Sequence, residues 1–321
     1  MATSSSRDVT LRSTPLGARG NNRPARAKKA SSTYSKASTV LAFLLPNVLG
    51  FLSFTLLPLL ASLVLSFFNW PVLGQRQFIG LDNYTRLFTR DPVFCRVFLN
   101  TLYFVFGYVP LNLTFAVAIA VWLNSKIRGS KIFRLIFFLP VFTPMVANAL
   151  VWRLLLNPHG VVDYILSLFH VPSPNWLGSD RWAMPAMILM SIWQGFGYNM
   201  LVFSAGLRSI PASLYEAAAI DGAKPWTRFW KITLPMLTPS IFFGMVMTFI
   251  TSFQVFVQPY VLTAGGPGVS TTTVVYYLYN NGFQYFRMGY ASAVGWVLFV
   301  VIMVATALQF GFQKRFVHYE R

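Results

Sequence analysis

The sequence predicts an all-α integral membrane protein with six transmembrane helices. Of its 321 residues, 55% are hydrophobic and 11% are charged, whereas about 25% of the residues in an ordinary soluble domain are charged. The charge-free stretches from Lys36 to Arg76 and from Arg287 to Lys314 exceed the roughly 20 apolar residues that a helix needs to cross a bilayer core. The mean hydropathy of +0.55 agrees, because a soluble protein with unusually apolar core helices would still need more polar surface.

The apolar cores of the sequence give the positions of the predicted spans. Lipid cannot hydrogen-bond to free backbone amides, so each span is expected to be a helix. No runs of about ten residues alternate apolar and polar side chains as the strands of a membrane barrel do. The spans are expected near Val40–Phe68, Phe98–Leu123, Leu135–Leu156, Trp182–Leu207, Leu237–Val261 and Met288–Phe312. Together they define a transmembrane domain over residues 39–315.

Both ends of the chain are basic and are expected in the cytoplasm. Residues 1–38 hold eight of the 26 Lys and Arg residues, in a composition typical of a disordered tail. With six spans, 19 of the 26 lie on the side of the termini and seven on the other side, and the positive-inside rule then makes that side cytoplasmic. A nucleic-acid-binding tail would need interleaved aromatic residues, and this one has only Tyr34. Residues 316–321 form a short cytoplasmic C-terminal tail.

The sequence lacks the residue sets that catalytic and metal sites require. The single cysteine, Cys95, excludes an internal disulfide and a multi-cysteine metal site, and the three histidines are too scattered to form a ligand cluster. Paired carboxylates and a nucleophilic triad are not found either. No phosphate loop of the type Gly-x-x-x-x-Gly-Lys-Ser/Thr occurs. We therefore expect no catalysis, no metal and no bound cofactor in this chain.

The long loop between the fourth and fifth predicted spans has the pattern of two short helices. Residues Tyr215–Ile220 mostly favour helix, Gly222 can take the left-handed conformation that ends a helix, and Pro225 suits the first turn of the next one. An apolar stripe follows at spacings of three and four residues, formed by Trp226, Phe229, Trp230 and Ile232. Such a loop can lie on the lipid surface, pack under its own helix bundle or dock a soluble partner.

The same loop carries a spaced set of residues that is typical of one family. The pattern is Glu-Ala-Ala, three residues, Gly, nine residues, Ile, one residue and Leu-Pro. Its positions here are Glu216, Ala217, Ala218, Gly222, Ile232, Leu234 and Pro235, with Asp221 before the glycine. In this pattern, and more weakly elsewhere between Val40 and Arg315, the chain resembles the permeases of binding-protein-dependent ABC importers, in the sugar (maltose-type) branch.

The resemblance implies a function and a set of partners. In that family the loop forms a coupling helix in a cleft of the ATPase subunit, and the positions matching Glu216 and Gly222 are the important ones. It also implies two ATPase subunits that use ATP and Mg²⁺, a second and usually different permease, and an extracytoplasmic solute-binding protein. The chain is then a transport subunit without enzymatic activity in the plasma membrane of a prokaryote. The alternative for Glu216 is that its carboxylate only favours the N-terminus of its own helix.

Uncharged polar and aromatic side chains within the spans are candidates for a translocation path. Such groups are costly in lipid and tend to face the bundle interior. Amides and aromatic faces suit a sugar, which offers hydroxyl groups and apolar ring faces. The candidates are Asn148, Trp152, Trp193, Gln194, Asn199, Gln254, Gln258 and Tyr260, with Tyr198 and Phe256 beside them. The alternative for each is hydrogen bonding between helices or anchoring at the membrane interface.

The predicted solute is a sugar or oligosaccharide, with glycerol-3-phosphate or another polyol as the alternative. A phosphorylated solute would call for a buried basic side chain, and the spans offer only Arg153, which is expected to reach the headgroups from a helix end. An ion-coupled carrier or a channel would share the six-span layout. Neither of these alternatives explains the pattern from Glu216 to Pro235. The spans also lack a carboxylate or lysine, the groups typical of ion-coupled carriers.

Overall fold

The computed structural model describes residues 37–71, 74–125 and 127–316, which are mostly helical. Within these ranges the α-helices are α1 (Ala37–Phe51), α2 (Leu57–Leu65), α3 (Asp82–Thr89), α4 (Pro92–Asn124), α5 (Ser130–Phe142), α6 (Met145–Leu155), α7 (Val161–Leu168), α8 (Ala183–Ser209), α9 (Ala212–Ile220), α10 (Pro225–Arg228), α11 (Leu234–Phe253), α12 (Val274–Tyr279) and α13 (Met288–Phe316). The π-helical segments are Leu52–Leu56, Phe229–Thr233, Pro259–Thr263 and Asn280–Gln284. Two short strands, β1 (Phe68–Asn69) and β2 (Gln77–Phe78), pair antiparallel with Phe68 opposite Phe78.

Five helical stretches in the described part of the chain are long and apolar enough to cross a membrane. They are Phe43–Leu65, Pro92–Asn124, Ala183–Ser209, Pro225–Phe253 and Met288–Gln313. The pair α5 and α6 passes the same test when taken together, although its two helices are bent by 99°. The structure therefore contains five apolar spans, or six if the bent pair is one broken span.

The third predicted span, Leu135–Leu156, is not one continuous helix, and this prediction is corrected. α5 ends at Phe142 and α6 begins at Met145, with Thr143 in an extended conformation between them. Pro144 explains the stop, because a proline lacks the N–H that continues a helix and disfavours helical angles in the residue before it.

The fifth predicted span, Leu237–Val261, is displaced along the chain. Its helix starts earlier, because α10, a π-helical segment and α11 run without interruption over Pro225–Phe253. It also stops earlier, since Gln254 ends α11. Gln258 and Tyr260 consequently lie beyond this helix rather than inside it. Apolar composition continues past the helix end, so the hydropathy pattern did not reveal the stop.

The other predicted spans overlap helices of the structure, whereas the two predicted tails lie almost entirely outside the described residues. The predicted ranges 98–123, 182–207 and 288–312 overlap α4, α8 and α13, respectively. The first predicted span, Val40–Phe68, ends too late, because its last helix, α2, ends at Leu65 and Phe68 lies in β1. The predicted tails 1–38 and 316–321 lie outside the described residues, apart from the first two residues of α1 and the last residue of α13.

The described residues divide into two units at the first apolar span, one ending at Phe54 and one starting at Thr55. The first unit contains α1, with Pro46 in its interior and mostly exposed apolar side chains. In the second unit, α4 and α8 make the most extensive helix contact, and α8 is the most buried of the apolar spans. Gly197 permits a close approach of α8 to α5, because a Cβ there would lie 2.5 Å from the carbonyl oxygen of Phe137.

Candidate functional site: a polar cavity and the loop between α8 and α11

The loop between α8 and α11 forms the predicted helix, glycine turn and second helix. Asp221 caps the end of α9, and Gly222 adopts a left-handed conformation with a φ of 69°. The Ala223 amide donates a hydrogen bond to the carbonyl oxygen of Ala218 at 2.9 Å, and the Gly222 amide donates one to that of Ala219 at 3.1 Å. These are the hydrogen bonds of a helix that ends in a glycine. A Cβ at Gly222 would meet no atom within 4 Å, so within this chain glycine is needed there for its conformation.

The Glu-Ala-Ala part of the pattern faces away from the helix bundle. Glu216 and Ala217 are exposed, and Ile220 at the end of α9 is 87% exposed. α9 is attached to the rest of the protein through Tyr215, which packs against the core and whose hydroxyl lies 3.0 Å from the hydroxyl of Thr233. Most of the surface of α9 is therefore accessible.

The Ile-x-Leu-Pro part of the pattern is built into the bundle. Ile232 packs against a core cluster that includes Leu207 of α8 and Leu237 of α11. Leu234 and Pro235 form the first turn of α11 and are half-buried. The sequence pattern thus has two parts, an exposed helix that carries Glu-Ala-Ala and the packed Ile-x-Leu-Pro residues that anchor the loop to the bundle.

Two predicted path residues meet at the break between α5 and α6. The side-chain amide of Gln194 donates a hydrogen bond to the carbonyl oxygen of Thr143 at 3.1 Å, and that of Asn148 lies 3.5 Å from the carbonyl oxygen of Pro140. The Pro140 carbonyl also accepts from the Thr143 amide at 3.2 Å, whereas the donor to the Thr143 carbonyl is the Gln194 side chain. A backbone carbonyl that a helix break leaves without a donor is costly in a membrane unless a side chain satisfies it. Both amides are buried.

Three other predicted path residues make contacts between helices. The rings of Trp152 and Trp193 meet edge to face with centroids 5.8 Å apart. The amide of Asn199 donates hydrogen bonds to Oδ1 of Asn112 at 2.7 Å and to Oγ1 of Thr248 at 2.8 Å, which joins α8 to α4 and α11. For Asn199 the structure therefore shows the hydrogen bonding between helices that is the alternative to a place on the path.

The predicted path residues that follow α11 lie in different environments. Gln254 is exposed, and Tyr260 is 44% exposed with its ring stacked on Phe256 at 5.3 Å. Gln258 is buried and faces an internal cavity. Of this group, Gln258 is the residue that reaches the same space as Gln194.

That cavity has a volume of about 160 Å³ and lies between α4, α8 and the residues at and after the end of α11. Its two glutamines come from different elements, so the fold brings them together although they are far apart in sequence. The lining residues are Phe104, Tyr108, Met145, Ser191, Gln194, Gly195, Thr251, Ser252, Val255 and Gln258.

The cavity offers hydrogen-bond acceptors beside an aromatic face. Oε1 of Gln194 is buried and accepts no hydrogen bond from the described residues. The hydroxyls of Ser191 and Ser252 donate to carbonyls of their own helices, which leaves their oxygen lone pairs free. The ring of Tyr108 stacks on that of Phe104, with centroids 5.4 Å apart. A hydroxylated solute with an apolar ring face could satisfy both features.

Sequence reasoning missed four polar lining residues of the cavity, namely Tyr108, Ser191, Thr251 and Ser252. Small hydroxyl residues within apolar helices usually bond to their own backbone and give no periodic signal. Tyr108 could have been noticed, because it follows Phe104 by four residues on one helix and the two rings therefore share a face.

Comparison with known proteins identifies the family. The family model described as binding-protein-dependent transport system inner membrane component matches residues 112–318, which include the cavity helix α8, the loop and α11. This chain belongs to that family. It is thus a multi-pass membrane permease of the ABC importer type, and the resemblance found in the sequence is confirmed.

Two permeases of Bacillus subtilis (strain 168) are similar to the chain over most of its length. It is 40% identical to the probable ABC transporter permease protein YesP over 297 residues, which are 91% of this chain and 96% of YesP. It is 35% identical to the arabinooligosaccharides transport system permease protein AraP over 279 residues, which are 86% of this chain and 88% of AraP.

A solved structure has the same fold as this permease. One chain in the crystal structure of a bacterial alginate ABC transporter, in complex with alginate pentasaccharide-bound periplasmic protein, matches it with a TM-score of 0.75 and 28% identity. The match covers 86% of this chain and 94% of that chain. The overall fold of this chain is therefore that of a solved ABC transporter chain.

Proposed function

We propose that the chain is the membrane-spanning permease subunit of an importer that moves a sugar or oligosaccharide across the plasma membrane of a prokaryote. The cavity between α4, α8 and the end of α11 is the observation that carries this proposal, because its unpaired acceptor at Gln194 and its stacked rings suit a hydroxylated solute. The similar permease AraP is named for arabinooligosaccharides, and the structural neighbour is an alginate transporter.

The cavity also bears on the alternative solutes. A phosphate group is best bound by Arg or Lys side chains, and the lining residues include no basic side chain. This favours an uncharged sugar over glycerol-3-phosphate, with an uncharged polyol next. Gln194 and Gln258 are then the residues of the predicted path that contact the solute.

The exposed surface of α9 is the proposed docking site for a separate ATPase subunit. Glu216 and Ala217 present a small-residue face with one acid, and Gly222 gives a close approach beyond the helix end. ATP and Mg²⁺ bind to that partner and not to this chain, so no enzymatic activity is assigned here. Ile232 and Pro235 transmit movement of α9 to the bundle, because they anchor the loop in the core and in the first turn of α11.

The proposed assembly has six spans in this chain, with α5 and α6 as a broken third span and both termini in the cytoplasm. The excess of Lys and Arg on the side of the termini supports this orientation. The partners are a second, different permease, two ATPase subunits and an extracytoplasmic binding protein. The neighbour in complex with a periplasmic protein supports the last of these.

The test is uptake of radiolabelled sugars by cells that express this chain with its partner subunits. Gly222→Asp is expected to abolish uptake while the protein remains in the membrane, because a side chain there blocks the docked partner. Uptake of a sugar by the wild type identifies the solute. Uptake that persists without any ATPase would instead favour an ion-coupled carrier or a channel.

Gly80→Asp is a matched control for local strain. Gly80 has a φ of 56° and Gly222 one of 69°, and a Cβ at either position meets no atom within 4 Å. The same substitution therefore strains the backbone similarly at both positions, but Gly80 lies outside the loop. Equal loss of uptake in both variants would contradict docking at Gly222.

A further inference from the structure

Residues Lys224–Thr233, named the basic-aromatic segment, present three aromatic rings to their surroundings. The ring of Trp226 lies 5.9 Å from that of Phe229 and 5.7 Å from that of Trp230, measured between centroids. Trp226 is 71% exposed and Trp230 is 51% exposed, more than any other tryptophan in the described part of the chain. Such large amphipathic rings gain free energy when their apolar faces leave water, so a partner is expected to cover them.

The same segment is basic. Lys224 and Lys231 are exposed, and the segment contains no Asp or Glu. Neither lysine forms an ion pair with an acidic residue of the described chain. Arg228 is half-buried, and its Nε donates a hydrogen bond to the carbonyl oxygen of Ala223 at 2.8 Å, so it braces the turn. The two lysines remain available for an anionic partner.

The position of the segment indicates which partner this is. Thr233 and Ile232 fasten its end to the protein core, while the two tryptophans stay exposed. From Pro225 on, the segment is the first part of the uninterrupted apolar stretch Pro225–Phe253. The first turns of a helix that enters lipid lie in the headgroup region, and Trp is enriched in this region of membrane proteins.

We propose that the basic-aromatic segment binds anionic phospholipid headgroups, with Trp226 and Trp230 in the membrane interface and Lys224 and Lys231 beside the phosphate groups. A basic face together with exposed tryptophans is the usual composition of a helix that lies on an anionic membrane surface. Continuity with a span favours lipid over a soluble protein, because a partner protein would have to reach into the headgroup layer. The binding holds the segment in place while the adjoining α9 remains accessible.

Fluorescence quenching in lipid nanodiscs tests the proposal on the purified transporter complex. Lipids brominated in the acyl chains quench nearby tryptophans, and the contribution of this segment is the wild-type signal minus that of W226F/W230F. We expect half-quenching at a mole fraction of brominated phosphatidylglycerol about tenfold lower than that of brominated phosphatidylcholine, since each lysine adds to the attraction for an anionic lipid.

Two charge variants make the result specific. K224Q/K231Q is expected to bring the ratio of the two mole fractions close to one, while R128Q/K131Q is expected to leave it unchanged. Arg128, before α5, and Lys131, in the first turn of α5, are an exposed basic pair outside the basic-aromatic segment. Loss of the preference in both variants would show a general charge effect and would overturn the site.

Two further outcomes would overturn the proposal. Equal quenching by both lipids in the wild type would show that the segment lies in the membrane interface but does not prefer anionic lipid. Tryptophans that neither lipid quenches, but whose emission changes when the ATPase subunit is added, would assign the segment to a protein partner. Neither outcome alters uptake or its dependence on Gly222, so failure here is distinct from failure of the proposed function.

Discussion

The side-chain amide of Gln194 spans two parts of the structure. Its Nε2 donates to the carbonyl oxygen of Thr143 at 3.1 Å across the break between α5 and α6, while its Oε1 is buried without a partner and the side chain lines the cavity. One half of the amide therefore holds the broken span, and the other half is free to accept a hydrogen bond from a solute. A solute that bound to this acceptor would be connected to the geometry of the break through a single side chain.

Gln194→Met is expected to raise the KM for solute uptake about tenfold, because a hydrogen bond to a buried acceptor contributes roughly 1.5 kcal/mol. Methionine has a similar length and no polar group, so the cavity keeps its volume. The measurement is the concentration dependence of uptake, with the amount of protein in the membrane determined alongside.

Gln309→Met is the control for that experiment. Gln309 lies in α13, and its Oε1 is also buried without a hydrogen-bond partner in the described residues, but it does not line the cavity. Its substitution is expected to leave KM unchanged. A KM that rises equally in the Gln194 and Gln309 variants would show that the effect comes from general loss of buried amides.

Thr248→Val is expected to lower the free energy of unfolding by about 1 kcal/mol, as for a hydrogen bond between membrane helices. The Thr248 hydroxyl accepts from the Asn199 amide at 2.8 Å, and valine leaves that donor with one partner fewer. Thr306→Val makes the same change at a buried hydroxyl that has no partner in the described chain, and it should be neutral. Melting temperatures in detergent compare the two, and similar values would contradict a stabilising role for the Asn199 network.

The loop between α8 and α11 could be predicted in detail because its signals are local. Gly222 sets the left-handed turn and Pro225 starts the next helix, whatever the rest of the chain does. The break of the third span depends on more than Pro144, since the freed carbonyl of Thr143 needs a donor from α8. A sequence shows that Gln194 requires partners within a membrane but does not show which atoms supply them.

The cavity could be predicted only in part for a related reason. Gln194 and Gln258 stand out in an apolar sequence, and the structure brings them to one site. Ser191 and Ser252 do not stand out, because their hydroxyls bond within their own helices and suit any buried face. Asn199, like Gln194, is an amide in an apolar span, so the sequence does not distinguish their roles. In the fold, however, Asn199 forms hydrogen bonds that join helices.

Asp91→Asn is expected to destabilise the protein near neutral pH by about 1 kcal/mol, because Asn keeps the helix cap but loses the charge-assisted hydrogen bonds from Tyr277 and Tyr290. Asp91 begins α4, where its Oδ1 accepts from the Val93 and Phe94 amides at 3.0 and 3.1 Å. Its Oδ2 accepts from the hydroxyls of Tyr277 and of Tyr290, the latter at 2.5 Å. The carboxylate thus joins α4 to α12 and α13.

The contribution of Asp91 should also depend on pH. Burial raises the pKa of this carboxyl, but the hydrogen bonds from Tyr277, Tyr290 and the two amides outweigh it, and the pKa lies below the ordinary value of 3.8. A lowered pKa stabilises the folded state above that value, and the stabilisation is lost as the pH falls through the lowered pKa. The melting difference between wild type and Asp91→Asn should therefore shrink below about pH 4.

Asp82→Asn provides the comparison for Asp91. Its side chain is 53% exposed and lies 3.8 Å from Arg90, and exposed ion pairs contribute about 0 to 1 kcal/mol. We expect a smaller change in melting temperature at neutral pH than for Asp91→Asn. If the two variants melt alike across the pH range, the Asp91 carboxylate does not join the three helices as inferred.

Gly289→Ala is expected to destabilise the protein by about 2 to 3 kcal/mol, the range for overpacking at a rigid contact. α13 lies so close to the end of α2 and the start of β1 that a Cβ at Gly289 would lie 1.9 Å from the carbonyl oxygen of Phe68 and 3.1 Å from that of Leu65. Both obstacles are backbone atoms, so no side-chain rotation relieves the clash. The Met288 amide also donates to the Trp70 carbonyl oxygen at 3.0 Å, which ties the helix to this position.

Gly311→Ala in the same helix separates this contact from helix propensity. A Cβ at Gly311 meets no atom within 4 Å, so alanine there should stabilise the helix by about 0.5 to 1 kcal/mol. Melting temperatures of the two variants should therefore move in opposite directions from that of the wild type. Should Gly289→Ala melt at or above the wild type, α13 would have room to move away from Phe68 at no cost, and the close crossing would not constrain this end of the helix.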